Sequence, residues 1–209
     1  MGKVMRVGLV LGLVWLLVTF MPQPALQVAA APRRTPTPRP SATATPFQYI
    51  FPLQNAKSIW YPPCHHDYPA ADIFVPVGTQ FVAPISGRVE WVTTTDEWQP
   101  KTDDPATRGG LSVALLGDDG VRYYGSHLSA VTKGIVVGVR VKRGQSLGLT
   151  GKSGSARDTD PHLHFGISRP TTAADWATRR GHVPPYTYLN AWRKGSNITP
   201  DLTLRGGVC

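Results

Sequence analysis

Residues 111–127 read LSVALLGDDGVRYYGSH. Two apolar runs, Leu111–Leu116 and Val121–His127, flank the tetrapeptide Gly117-Asp118-Asp119-Gly120. Asp and Gly supply the left-handed backbone that a tight reversal needs, so the stretch predicts an antiparallel hairpin. Working outward, the same grammar recurs. Gln80–Pro84 precedes a Ser86-Gly87 turn, and Arg88–Thr95 alternates, placing Val89, Trp91 and Thr93 on one face. Val139–Val141, Ser146–Thr150 and His162–Ser168 continue the series, with Gly144-Gln145 and Gly151–Gly154 as turns. Only Thr172–Arg180 and Leu189–Lys194 read as helical. The expectation is an all-β fold: antiparallel sheets in an open sandwich or barrel with a narrow groove, plus short C-terminal helices. Residues 96–109 are charged and Pro-containing, a surface loop.

The chemistry sits in a few histidines. His162-Leu163-His164 lies inside a strand pattern, so both imidazoles project from one face, with Leu163 and Phe165 on the other. That suits one metal ligand beside one acid/base. Upstream, His65-His66 precedes Asp72, which opens the apolar segment Ile73-Phe74-Val75. One of these histidines, Asp72 and His164 make a His₂Asp set of the kind that holds Zn²⁺ and leaves a position for water. Asp67 competes as a carboxylate but reads more naturally as a turn residue. His127 closes the second hairpin strand and can reach over such a site. Rival motifs fail. No Glu follows His164 closely, as a cupin requires; H-E-x-x-H is absent; Gly151-Lys152-Ser153-Gly154 lacks the spacing of a serine elbow.

These residues resemble a known family. Asp72-Ile-Phe-Val-Pro-Val-Gly-Thr-Gln-Phe-Val-Ala-Pro-Ile-Ser-Gly-Arg-Val is similar to the D-x-x-x-P-x-G-T-P-V-x-A-x-x-x-G-x-V core of lysostaphin-type metallo-endopeptidases. Val139-Arg-Val-Lys-Arg-Gly-Gln-Ser-Leu-Gly resembles their V-x-x-G-Q-x-I-G turn. Gly151–Gly154 followed by Pro161-His-Leu-His-Phe165 resembles their closing signature. The likeness runs from about His65 to Ser168. It implies a zinc endopeptidase that hydrolyses peptide bonds of peptidoglycan, with Zn²⁺ on His66, Asp72 and His164, and with His127 and His162 catalytic. One of these two would handle protons and the other stabilise the oxyanion; His162 is the first choice for protons, and the sequence leaves the exchange of roles open. A catalytically silent wall-binding regulator is the alternative. The chain departs from the pattern between the first ligands. The separation to Asp72 is six residues from His66 and seven from His65, with Tyr68-Pro69 inserted, and both exceed the usual spacing. His66 is the nearer match. Gly125 and Ser126 also lengthen the segment before His127.

The ends of the chain set its location. Lys3 and Arg6 precede Val7–Met21, an uncharged run of 15 residues and short for a membrane span. Val28 and Ala30 fit a cleavage site, so residues 1–30 read as a signal peptide. Residues 31–47 are a Pro/Thr-rich linker, and 48–209 the metallopeptidase domain. The expected product is secreted or envelope-associated, monomeric, and not stably inserted in a membrane. Much of the net charge of +9 lies in the leader and linker, and no dense basic stripe remains for nucleic acid. Two cysteines, Cys64 and Cys209, permit one disulfide in an exported protein, while Cys64 also stands beside His65 as a possible metal ligand.

Overall fold

The computed structural model describes residues 46–56, 58–172 and 174–204. The leader, nearly all of the linker, and Cys209 lie outside these residues. Nine strands form one antiparallel sheet: β1 (Leu53–Gln54), β2 (Ala71–Phe74), β3 (Gln80–Val82), β4 (Gly87–Thr93), β5 (Leu111–Gly117), β6 (Arg122–Val131), β7 (Arg140–Val141), β8 (Ser146–Thr150) and β9 (His162–Ser168). The path runs β1-β3-β8-β6-β5-β4-β7, and β9 joins through β6 and carries β2 on its other edge. β6 is the hub. Its first half pairs with β9, its second half with β8, and β5 lies along its other side. The sheet is open, mostly antiparallel and poor in helix, as expected.

Alternation divides the sheet into two chemistries. Ile73, Phe81, Val113, Leu115, Tyr123, Leu163, Phe165 and Ile167 form the solvent-free core. Each large apolar side chain so buried contributes about 1.5–3 kcal/mol relative to exposure. The residues between them on β2, β6 and β9 face a groove. Two bulges adjust this pattern. A register shift between Val89 and Trp91 breaks the alternation of β4. Val89 and Val92 therefore join the core, while Trp91 turns the other way and lies under the Arg179 guanidinium, 3.9 Å from its ring centre. Trp91 and Thr93 share a face as expected, with Trp91 Nε1 donating to Thr93 Oγ1 at 2.8 Å, but Val89 lies on the other side, because a bulge adds a residue without adding a period.

The helices are α1 (Trp176–Arg179) and α2 (Tyr186–Arg193). Asp175 caps α1 by accepting from the Thr178 amide at 3.0 Å, which starts it later than residue 172. Pro185 caps α2, and its preset φ starts that helix ahead of Leu189. α1 ends against β9 at Gly166. A Cβ there would strike the Arg180 carbonyl oxygen at 2.3 Å, so only glycine permits the approach. No helix among the described residues is long and apolar enough to cross a membrane.

Candidate active site

The register of β2 on β9 places Asp72 directly opposite His164 and Phe74 opposite His162. Opposed residues of an antiparallel pair share a face. His164 Nδ1 accordingly lies 2.9 Å from Asp72 Oδ1, and His162 Nε2 lies 3.9 Å from the same oxygen. His65 enters from the preceding loop, its Nε2 3.6 Å from Asp72 Oδ2 and its ring edge-on to His164. Cys64, immediately before it, is disulfide-bonded and so is not a metal ligand.

His65 is 7% exposed, whereas the His66 side chain is 70% exposed and its Nδ1 lies 2.9 Å from Asp67 Oδ2. One donor atom each of His65, His66 and Asp72 lies within 4.8 Å of the others. His66 is therefore near the cluster, stacked on the outer side of His65 at 4.1 Å between ring centres. His65 is the histidine turned onto Asp72.

His127 reaches the groove through a second bulge. β5 and β6 pair Val113 with Gly125 but Leu111 with Leu128, which leaves an extra residue on β6. Strict alternation would send Ser126 to the groove and His127 to the core. Instead His127 takes φ +62°, in the left-handed region, and its ring lies 4.9 Å from His162 and 6.0 Å from His164. A non-glycine residue held at such a φ stores strain, which functional sites retain for position.

Hydrogen bonds fix the tautomers. A carbonyl oxygen only accepts, so each ring nitrogen facing one carries a proton. His127 Nδ1 donates to Ser153 O and His162 Nδ1 to Asp160 O, both at 2.8 Å. Both rings, when neutral, present an unprotonated Nε2 to the groove. His164 is reversed: Nε2 donates to the Arg180 carbonyl at 2.9 Å. Its Nδ1 lone pair then faces the Asp72 carboxylate, two electron-rich atoms in contact. A second proton on His164 or a cation at that point resolves this. His65 Nδ1 sits 3.5 Å from the Asp67 amide, at the outer limit of a hydrogen bond. With His65 Nε2 supplying a third donor, the set matches the nitrogen and oxygen ligands and the close spacing that a tetrahedral zinc site needs.

The electrostatics agree with a metal-binding set. Burial, aided by the neighbouring His164, pushes His65 down to about 4 and leaves it neutral near pH 7. Burial, then His164 and His162, pushes His127 down to about 3. Burial acts to raise Asp72, but the Nδ1 hydrogen bond that His164 makes when it carries its second proton, and the fields of His164, His162 and His65, outweigh it and hold the carboxyl well below its usual range.

The groove encloses roughly 500 Å³. Loop 96–109 forms one wall. Asp103 braces it, accepting from Trp98 Nε1 at 3.0 Å and Arg108 Nε at 2.8 Å. Asp96 accepts from the Gly154 amide at 2.9 Å, tying this wall to the turn whose Ser153 carbonyl holds His127. Gly154 sits at φ +64°, packed on the Arg108 backbone where a side chain has no room.

Residues 66–176 match the sequence profile of Peptidase family M23, over half of the chain. The chain belongs to peptidase family M23. Among curated M23 relatives, the L-Ala–D-Glu endopeptidase of Bacillus subtilis (strain 168) is 31% identical over 91 residues, 41% of this chain and 26% of the relative. The glycyl-glycine endopeptidase ALE-1 of Staphylococcus capitis is 32% identical over 136 residues, 65% of this chain and 32% of the relative. The chain thus spans between a quarter and a third of the length of these two. Lysostaphin from Staphylococcus simulans superposes with a TM-score of 0.50 at 26% identity, covering 66% of this chain and 51% of that one.

Two groove residues escaped the sequence reading. Tyr68 reads as part of a turn, yet its hydroxyl lies 3.4 Å from His164 Nε2. Burial raises its pKa well above the ordinary phenol value, against the pull of Arg180, so it remains a donor. Arg180 reads as a helix end, yet its carbonyl orients His164 and its guanidinium stacks on the Tyr68 ring at 3.9 Å. Neither carries a local sequence signal, because both arrive through tertiary packing.

Proposed function

We propose that this M23 protein is an exported zinc endopeptidase that hydrolyses peptide bonds of bacterial peptidoglycan. The observation that carries the reading is the convergence of His65, Asp72 and His164 beneath two histidines with free Nε2 atoms. His65 Nε2, Asp72 and His164 Nδ1 would hold the metal; His65 takes the place of His66 because its ring is the buried one turned onto Asp72. Bound there, Zn²⁺ supplies the Lewis acidity that acidifies a water and polarises a carbonyl.

The chain's own groups do the rest. The Arg180 carbonyl fixes the His164 ring, as hydrogen-bonded partners of metal-ligating histidines generally do. His162 Nε2 accepts the proton of the attacking water and returns it to the leaving amine. His127, neutral and bonded to Ser153, accepts a hydrogen bond from the water and orients it. Its expected role as oxyanion donor requires a second proton, which burial opposes. The Tyr68 hydroxyl already has a proton to give, and we assign the developing oxyanion to it. The two relatives named above are an L-Ala–D-Glu and a glycyl-glycine endopeptidase, so the peptide part of peptidoglycan is the substrate class this reading takes.

The test is direct. Purified protein should hold about one Zn²⁺ per chain, clear a peptidoglycan suspension, and lose both on chelation. Protein that binds peptidoglycan with no zinc after reconstitution, and releases no peptide, is instead the silent regulator.

A further inference from the structure

The groove carries three carboxylates and three guanidinium groups on its lining, and all but one of these charges have visible employment. Asp67 is bonded to His66, Asp103 to Arg108, and Asp72 lies among the histidines. Arg179 is buried over Trp91. Arg180 differs. It makes no ion pair among the described residues, its Nε is buried without a hydrogen-bond partner, and its terminal nitrogens donate to no protein acceptor there. The guanidinium is nevertheless held in place, stacked 3.9 Å from the Tyr68 ring centre and 4.9 Å from that of Trp176. Asp67 feels its field but is committed to His66.

A fixed, unpaired guanidinium on a groove wall matches a carboxylate, which accepts two parallel N–H bonds from its fork. Its place is one aromatic ring from His164, since Tyr68 touches both. An extended peptide advances about 3.3–3.6 Å per residue. The Tyr68 and His164 ring centres lie 5.7 Å apart and the guanidinium 3.9 Å from the Tyr68 centre, so a substrate carboxylate meeting Arg180 belongs to a residue within about three of the cleaved bond. We infer that Arg180 reads a free carboxylate close to the scissile peptide, so that this chain prefers an acidic stem-type peptide to a neutral glycine bridge. The inference rests on the peptidase reading and narrows it.

Three probes test it on the zinc-loaded protein: a peptide with an Ala–D-Glu link, its counterpart with D-Gln, and pentaglycine. Wild type should favour the acidic peptide over its amide by tenfold or more in kcat/KM, expressed mainly in KM. Arg180→Gln should collapse that ratio towards one, and Arg180→Lys should restore part of it, because charge returns without the fork. The backbone carbonyl that holds His164 remains in both variants, so zinc content should not change. A wild-type ratio near one, or a ratio that survives Arg180→Gln, overturns the inference. If Arg180→Gln does not fold, the wild-type and Arg180→Lys ratios decide. Affinity for the acidic and amide peptides, read by calorimetry, tests the preference without turnover. Release of no peptide from these probes or from whole peptidoglycan overturns the peptidase reading, while equal affinities overturn the inference alone.

Discussion

β9 has one face of hydrocarbon, sealed in the core, and one of imidazole, which is mostly buried but lines the groove. Leu163, Phe165 and Ile167 are fully buried, and His162 and His164 are 6% and 4% exposed. The apolar face needs only close neighbours. The imidazole face has to place every nitrogen, because a buried polar atom without a partner costs about 1–3 kcal/mol. His162 and His164 each spend one nitrogen on a backbone carbonyl, Asp160 and Arg180 respectively. Each keeps its other nitrogen turned towards Asp72. The difference teaches where function resides on a strand: the nitrogens that structure has not consumed are the ones available for metal and for protons.

The strongest way to break the comparison is through the core face. Phe165 packs against Tyr123 and lies opposite both Ala71 and Gly125, so it helps hold β2 and β6 on β9. Phe165→Ala should cost about 3–5 kcal/mol, a large share of a domain's stability, and should remove zinc binding and cleavage with it. Urea denaturation of the metal-free protein measures this. A loss below about 1 kcal/mol would show that the two faces are not supported by one core.

The imidazole face should behave differently. Asp72→Ala, His65→Ala and His164→Ala should each lose zinc, with a metal-free stability loss of about 1–3 kcal/mol at most, below that of Phe165→Ala. Metal analysis beside the denaturation curve separates the two quantities. Wild-type zinc affinity in His65→Ala would remove it from the ligand set.

Next in size are the proton-handling groups. His162→Ala and His127→Ala should fold and keep zinc while kcat drops by about 10²–10⁴. Peptide release per zinc-loaded molecule is the readout. Undiminished release in both variants would place the catalytic groups elsewhere in the groove.

The sequence announces what is periodic and hides what is not. The hairpin about Gly117–Gly120, the shared face of His162 and His164, and the strand start at Asp72 follow from a two-residue repeat, and each is found. The resemblance adds the set of histidines. The bulges at Val89–Trp91 and at Ser126–His127 defeat the repeat, since one inserted residue reverses every later face. The first flips Trp91 out of the core, and the second brings His127 into the groove. Arg180 and Tyr68 are illegible for another reason. Their roles depend on α1 meeting β9 at Gly166 and on a loop returning over His164, contacts between residues far apart in the chain.

The smallest effect is expected where the sequence leaves two neighbouring histidines open. Spacing favours His66 as the first ligand, because it stands nearer Asp72 in the chain. In a loop, however, spacing fixes reach and not direction, and the inserted Tyr68-Pro69 frees the two neighbouring histidines to exchange roles. His65 is turned inward onto Asp72, with Cys64 beside it anchored by a disulfide. His66 faces solvent and holds Asp67, an exposed pair of the kind worth about 0–1 kcal/mol. His66→Ala should therefore keep zinc, and its kcat/KM should stay within about twofold of wild type. Zinc titration of His65→Ala and His66→Ala side by side decides the matter. Loss of zinc in His66→Ala with retention in His65→Ala would mean that the loop turns over when the metal binds, and that the spacing argument identifies the ligand after all.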